Sequence, residues 1–153
     1  MTRSFRFFAL ALYVAALSIV TAAAPTVTPP AKPIITVYKD PNCGCCRNWI
    51  AHLIKNGYRV DAKDTPDMDQ IKKTLGVPTD LKSCHTAVVA GYLIEGHVPA
   101  ADIDRLLATK PKLKGLAVAG MPMGSPGMEG AAKQHYKVMA FNRTGEARVF
   151  ASY

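Results

Sequence analysis

The tightest constraint in this chain is a junction. A β-rich run, Pro33 to Tyr38 (PIITVY), ends at the turn signal Asp40-Pro41-Asn42, and a helical apolar spacing (Cys46, Trp49, Ile50, Leu53, Ile54) starts directly after it. Three of the chain's four cysteines, Cys43, Cys45 and Cys46, fall at that switch. Cysteines delivered to the first turn of a helix meet unpaired N–H groups and the positive end of the helix dipole, both of which favour thiolate over thiol. Gly44 lets the backbone bend tightly between them. Cys43 and Cys46 make a C-x-x-C pair, the mark of dithiol redox chemistry or of metal binding. Cys45 is surplus to a dithiol enzyme, because a third thiol beside a working disulfide invites scrambling.

The rest of the chain alternates in type. Gly57 stops the first helix, and Tyr58 to Lys63 alternates like a second strand. Thr65-Pro66-Asp67 caps a short helix carrying Met68, Ile71 and Leu75, closed by Gly76. Thr86 to Ala90 and Tyr92 to Ile94 flank Gly91 as a hairpin. A third helix opens at Val98 to Asp102, buries Ile103, Leu106 and Leu107, and ends before Pro111. Gly115 to Gly130 is a Gly/Pro/Met loop, and strands near Tyr136 to Phe141 and Ala147 to Ala151 close the chain. The order is β-α-β-α-β-β-α with a C-terminal strand extension, an α/β class whose sheet carries helices on both faces. With the C-x-x-C at the first strand–helix junction, this resembles the thioredoxin fold.

The N-terminus has a different character. Arg3 and Arg6 precede the apolar run Phe7 to Val20, and small residues follow at Thr21 to Ala24. That is the pattern of a secretory signal peptide, assigned to residues 1–22, with an uncleaved anchor as the alternative. The apolar run is short of the roughly 20 residues that span a bilayer. Residues 23–32 (AAPTVTPPAK) read as a flexible linker, and 33–153 as one domain. A domain of that length buries a core without disulfide staples, so its four cysteines are not obviously structural. The net charge of +8 is spread over scattered lysines. Without aromatic–basic interleaving, and with an export signal, nucleic acid is not an expected partner, nor is a membrane after cleavage.

The fold order gathers further side chains at the junction. Cys84-His85 precedes the third strand, where a thioredoxin-like fold carries a cis-proline, yet Lys82 to Thr86 contains no proline. A hairpin centred on Ala90-Gly91 sets position 84 opposite 97, so the expected cluster is Cys43, Cys45, Cys46, Cys84 and His97. Met121, Met123 and Met128 sit in the Gly/Pro loop, and a thioether is a soft ligand suited to Cu(I). Plainer readings stand beside these. Cys43–Cys46 can be a structural disulfide, Cys84 can pair with the C-x-x-C, Cys45 can simply pack, and the methionines can form an apolar lid. Strand alternation turns His85 away from Cys84 and makes it the weaker ligand. His52 falls on the outer face of the first helix, and His135 has no supporting neighbour.

The blocks YKDPNCGCC, VPTDLKSCHTAVV, IEGHVPAADI, KGLAVAGMPMGSPGME and GEARVFASY resemble the periplasmic copper-resistance proteins of the CopG type. The resemblance runs from about Tyr38 to the C-terminus. It implies a thioredoxin-like fold that binds several copper ions through bridging cysteines and handles excess copper in the periplasm. It also implies interconversion of Cu(I) and Cu(II), which would make the protein a copper oxidoreductase, alongside other periplasmic copper-handling proteins. Cys43, Cys45, Cys46 and Cys84 match its thiol positions; His97, Met121 and Met123 match adjoining ones. Thiolates also suit zinc and iron–sulfur centres, so those remain alternatives, as does a periplasmic thiol–disulfide oxidoreductase.

Overall fold

The computed structural model of the protein describes residues 31–153. The expected signal peptide and most of the linker lie outside the described residues. The elements run β1 (Ile34–Lys39), α1 (Gly44–Lys55), β2 (Arg59–Asp64), α2 (Met68–Leu75), a 3-10 turn (Thr79–Leu81), β3 (Thr86–Val89), β4 (Tyr92–Glu95), α3 (Ala100–Thr109), β5 (Gly115–Ala117), β6 (Lys137–Phe141) and β7 (Ala147–Ser152). The first seven regular elements follow the order expected from the sequence. β5 does not: it was expected to be loop. Its residues are too few and too small to announce a strand, but parallel pairing with β4 (Leu93 with Gly115, Glu95 with Ala117) draws them into the sheet. Gly115 is needed there, since a Cβ would meet the Leu93 carbonyl oxygen at 2.0 Å.

All seven strands form one mixed sheet in the order β2-β1-β3-β4-β5-β6-β7. β1 pairs parallel with β2 and antiparallel with β3. The β3–β4 register is Thr86 with Glu95 and Val89 with Tyr92, around a turn in which Ala90 (φ 47°) and Gly91 (φ 83°) are both left-handed. Two left-handed turn residues match the twist of the flanking strands. Ala90 accepts a conformation that costs an L-residue about 1 kcal/mol.

Period-two alternation divides the apolar side chains between the two faces. Ile35, Val37, Ala87, Val89, Ile94, Leu116 and Ala140 point to one side and pack with Trp49 and Leu53 of α1 and Ile103 and Leu106 of α3. Leu93, Ala117 and Phe141 point to the other and pack with Val77, Leu81 and Leu75 at the end of α2. The sheet is therefore covered on both faces. Trp49, midway along α1, is fully buried, and its indole N–H donates to the Val98 carbonyl at 2.9 Å.

Helix ends are closed by local chemistry. Asp67 accepts from the Gln70 N–H at the start of α2, and Gly76 ends that helix in the left-handed region. α3 begins at Ala100 after Pro99, which offers no side-chain cap. His52 does this job from α1: its Nε2 accepts the Ala100 N–H at 3.1 Å. Helical periodicity placed His52 toward solvent; it is half-buried between α1 and the start of α3. Among the described residues, no helix is long and apolar enough to cross a membrane.

Candidate metal centre

The centre is built at the β1–α1 junction. Asp40 organises the turn: its carbonyl accepts from the Cys43 N–H at 3.1 Å and its carboxylate from the Asn42 N–H at 2.7 Å. Cys43 is then the N-cap of α1, its Sγ accepting from the Cys46 N–H at 3.2 Å. One helical turn presents Cys43, Cys45 and Cys46 together. Cys43 and Cys46 are joined as a disulfide, with Cα atoms 5.3 Å apart, while Cys45 and Cys84 are free thiols.

Cys45 lies in the middle of the sulfurs. Its Sγ is 3.5 Å from Cys43 Sγ, 3.7 Å from Cys84 Sγ and 3.9 Å from Met121 Sδ. All four cysteine sulfurs fall within 4.8 Å of one another. Two thiolates sharing one tetrahedral soft ion at about 2.3 Å each would stand about 3.8 Å apart. The spacing of the free thiols thus fits a soft metal ion.

A second group, Cys84 with His85 and His97, adjoins the first through Cys84. His97 Nε2 is 3.1 Å from Cys84 Sγ, and His97 Nδ1 is 2.8 Å from the Pro126 carbonyl. A carbonyl only accepts, so Nδ1 carries the proton and Nε2 turns its lone pair to the sulfur. Burial, and then the neighbouring Cys45, push the Cys84 thiol up to about 12. Cys84 is therefore a thiol near neutral pH, and its S–H donates to His97. Burial lowers the His97 ring, against an opposing pull from the Pro126 carbonyl, and lowers the fully buried His85 further. Both rings are neutral, the form that binds metal.

His85 corrects an expectation. Alternation turned it from Cys84, yet its Nδ1 is 3.3 Å from Cys84 Sγ. Both residues precede β3, where the backbone is not yet pleated. The ring lies against Trp49, with centroids 4.3 Å apart, and its buried Nε2 has no partner among the described residues.

The Gly/Pro/Met loop closes over α1. Gly127 has φ +86°, and a Cβ there would come within 2.7 Å of the Trp49 nitrogen and 2.9 Å of the Cys45 carbonyl oxygen. That close approach brings Pro126 to His97 and sets Met121 beside Cys45. Met123 is turned elsewhere, its methyl against Gly130. Among the described residues, no sulfur contact joins Met123 or Met128 to the cysteines. His135 is exposed, on the Tyr153 carbonyl.

Sequence reading missed the support beneath Cys84. Lys72 and Glu95, both buried, form an ion pair at 2.6 Å. The Glu95 carboxylate also accepts from the Ser83 N–H at 2.6 Å and the Thr86 hydroxyl at 2.6 Å. Ser83 in turn donates its hydroxyl to the Gly120 carbonyl. One buried charge thus holds the segments carrying Cys84 and Met121. Lys72 follows Ile71 on a polar-looking helix, and nothing in that pattern marks it as buried.

Fold and site together define an α/β protein with a cysteine-centred cluster able to hold a metal ion. Two solved structures, both titled copper resistance protein copG (Form 2 and Form 1), align with it at 49% identity, covering 80% of this chain and 98% of theirs, with TM-scores of 0.76 and 0.75. A family described as "Protein of unknown function, DUF411" matches residues 81–128, the part that carries Cys84, His85, His97 and the loop methionines. No curated protein matches the chain. The chain belongs to the CopG family of copper resistance proteins.

Proposed function

We propose that this is an exported, periplasmic copper-handling protein that holds several copper ions through bridging cysteines on a thioredoxin-like core. The observation that carries the reading is Cys45, whose sulfur lies 3.5 Å from Cys43 and 3.7 Å from Cys84. A sulfur with another sulfur on each side supports bridging between ions. Four sulfurs within 4.8 Å of one another support sharing among several ions. His97 and Met121 at the rim add donors that tolerate Cu(II) as well as Cu(I). The strand order β2-β1-β3-β4, with β3 antiparallel to its neighbours, supports the thioredoxin-like core. The apolar N-terminal run supports export.

The test is metal analysis of fully reduced protein loaded with Cu(I) without oxygen. More than one copper per chain is expected, and one or fewer would sink the cluster. Cys45→Ser should lower the copper count while any disulfide-reductase activity persists. A second reading, thiol–disulfide exchange, is favoured by the Cys43–Cys46 disulfide itself. Loss of reductase turnover in Cys45→Ser with copper binding intact would favour it.

A further inference from the structure

The disulfide leaves a second set of donors untouched. With Cys43 and Cys46 bonded, the free thiols Cys45 and Cys84 stand 3.7 Å apart. His97 Nε2 approaches Cys84 at 3.1 Å with its lone pair directed at the sulfur, and Met121 Sδ approaches Cys45 at 3.9 Å. Two thiolates, one imidazole and one thioether are a soft set that selects Cu(I). We propose that the disulfide form is itself a copper site: Cys45, Cys84 and His97, with Met121 at the edge, retain one cuprous ion, while Cys43 and Cys46 supply the electrons that reduce cupric ion. This rests on the copper reading above and deepens it by dividing labour among the sulfurs.

The chemistry balances. Cys43 and Cys46 each lose a proton and one electron, and the S–S bond forms. Two cupric ions each gain one electron. One cuprous product stays on Cys45, Cys84 and His97, and the other leaves. A dithiol reductant restores the pair by exchange, attacking the disulfide at Cys43, which is less buried than Cys46. Cys45 and Cys84 do not follow the first pair into a second disulfide because closing them needs a sulfur separation of about 2.05 Å. The backbone leading into Cys84 is anchored against following Cys45. The Ser83 N–H is fixed by Glu95, Glu95 by Lys72, and the Ser83 hydroxyl by Gly120.

Two preparations of the full chain distinguish the outcomes: fully reduced protein, and protein with Cys43–Cys46 oxidised and two thiols titratable. Each is titrated with Cu(I) against a chromophoric chelator. The disulfide form should bind one Cu(I) with thiolate-to-metal absorption in the ultraviolet. Cys45→Ser and Cys84→Ser should each weaken that site by more than the roughly 100-fold typical of losing an outer partner. Cu(II) added to reduced protein without oxygen should consume two thiols and yield two Cu(I). The double variant Cys43→Ser/Cys46→Ser should still bind one Cu(I) but reduce no Cu(II). If reduced protein binds several ions and the disulfide form none, the inference falls and the copper reading survives. If reduced protein binds none, both fall. Consumption of all four thiols by Cu(II) would overturn the division of labour.

Discussion

Cys84 sits between two environments, and in the proposed copper centre its protonation governs how metal is taken up. Burial and the neighbouring Cys45 hold its thiol up to about 12, and its proton points to His97 Nε2. A metal ion must displace that proton. The Cys84 thiol should therefore contribute about a tenfold rise in apparent affinity per pH unit between pH 6 and 8, with one released proton that Cys84→Ser abolishes. An unchanged pH slope in Cys84→Ser would show that Cys84 is not a ligand. The Lys72–Glu95 pair beneath it is costly to break. Burial pushes the Glu95 carboxyl up, and the Lys72 ammonium with the Thr86 and Ser83 donors opposes the shift. Lys72→Met leaves that carboxylate buried without its cation and should destabilise the protein by about 3–5 kcal/mol, read by urea denaturation. The double change Lys72→Met/Glu95→Leu should cost less than Lys72→Met alone, because no charge is left stranded.

At the scale of elements, the loop after β5 meets α1 at Gly127 as well as at Met121. Gly127 combines a left-handed φ with a backbone approach that leaves no room for a side chain. Gly127→Ala should cost about 1–3 kcal/mol and loosen the loop. It should also free the His97 ring from Pro126 and weaken copper binding, a combination visible by denaturation and by copper titration of the same sample. The reverse attachment runs from α1 to α3 through His52. His52→Ala removes the acceptor for the Ala100 N–H at the start of α3 and should destabilise by about 1 kcal/mol. Hydrophobic spacing identified α1, α2 and α3 and the hairpin. It could not place His52, since the partner that half-buries it belongs to a helix some fifty positions away.

For the whole molecule, the His52 contact predicts an acid sensitivity. Burial holds its ring below the ordinary 6.5, against the raising influence of Glu129. The unfolded chain takes up this proton near pH 6.5 while the folded one resists it, so stability is present above that pH and falls as pH drops below it. Thermal melts of metal-free protein should decline from pH 7 to 5, and His52→Ala should lessen that decline by its own share, with the buried His85 and His97 keeping the rest. The chain's local patterns were enough to determine the α/β alternation, the cysteines at the first strand–helix junction and the hairpin register that faces Cys84 with His97. These depend on periodicity, turn residues and a count along two strands, all of which are local. Only the tertiary structure decided that Cys45 lies midway between Cys43 and Cys84, that His85 joins Cys84 from a stretch before the pleat begins, that Met121 and not Met123 reaches the sulfurs, and that a buried Lys72–Glu95 pair lies beneath them. Each of those depends on which segments pack within a few ångströms of one another, and sequence spacing carries no measure of that distance.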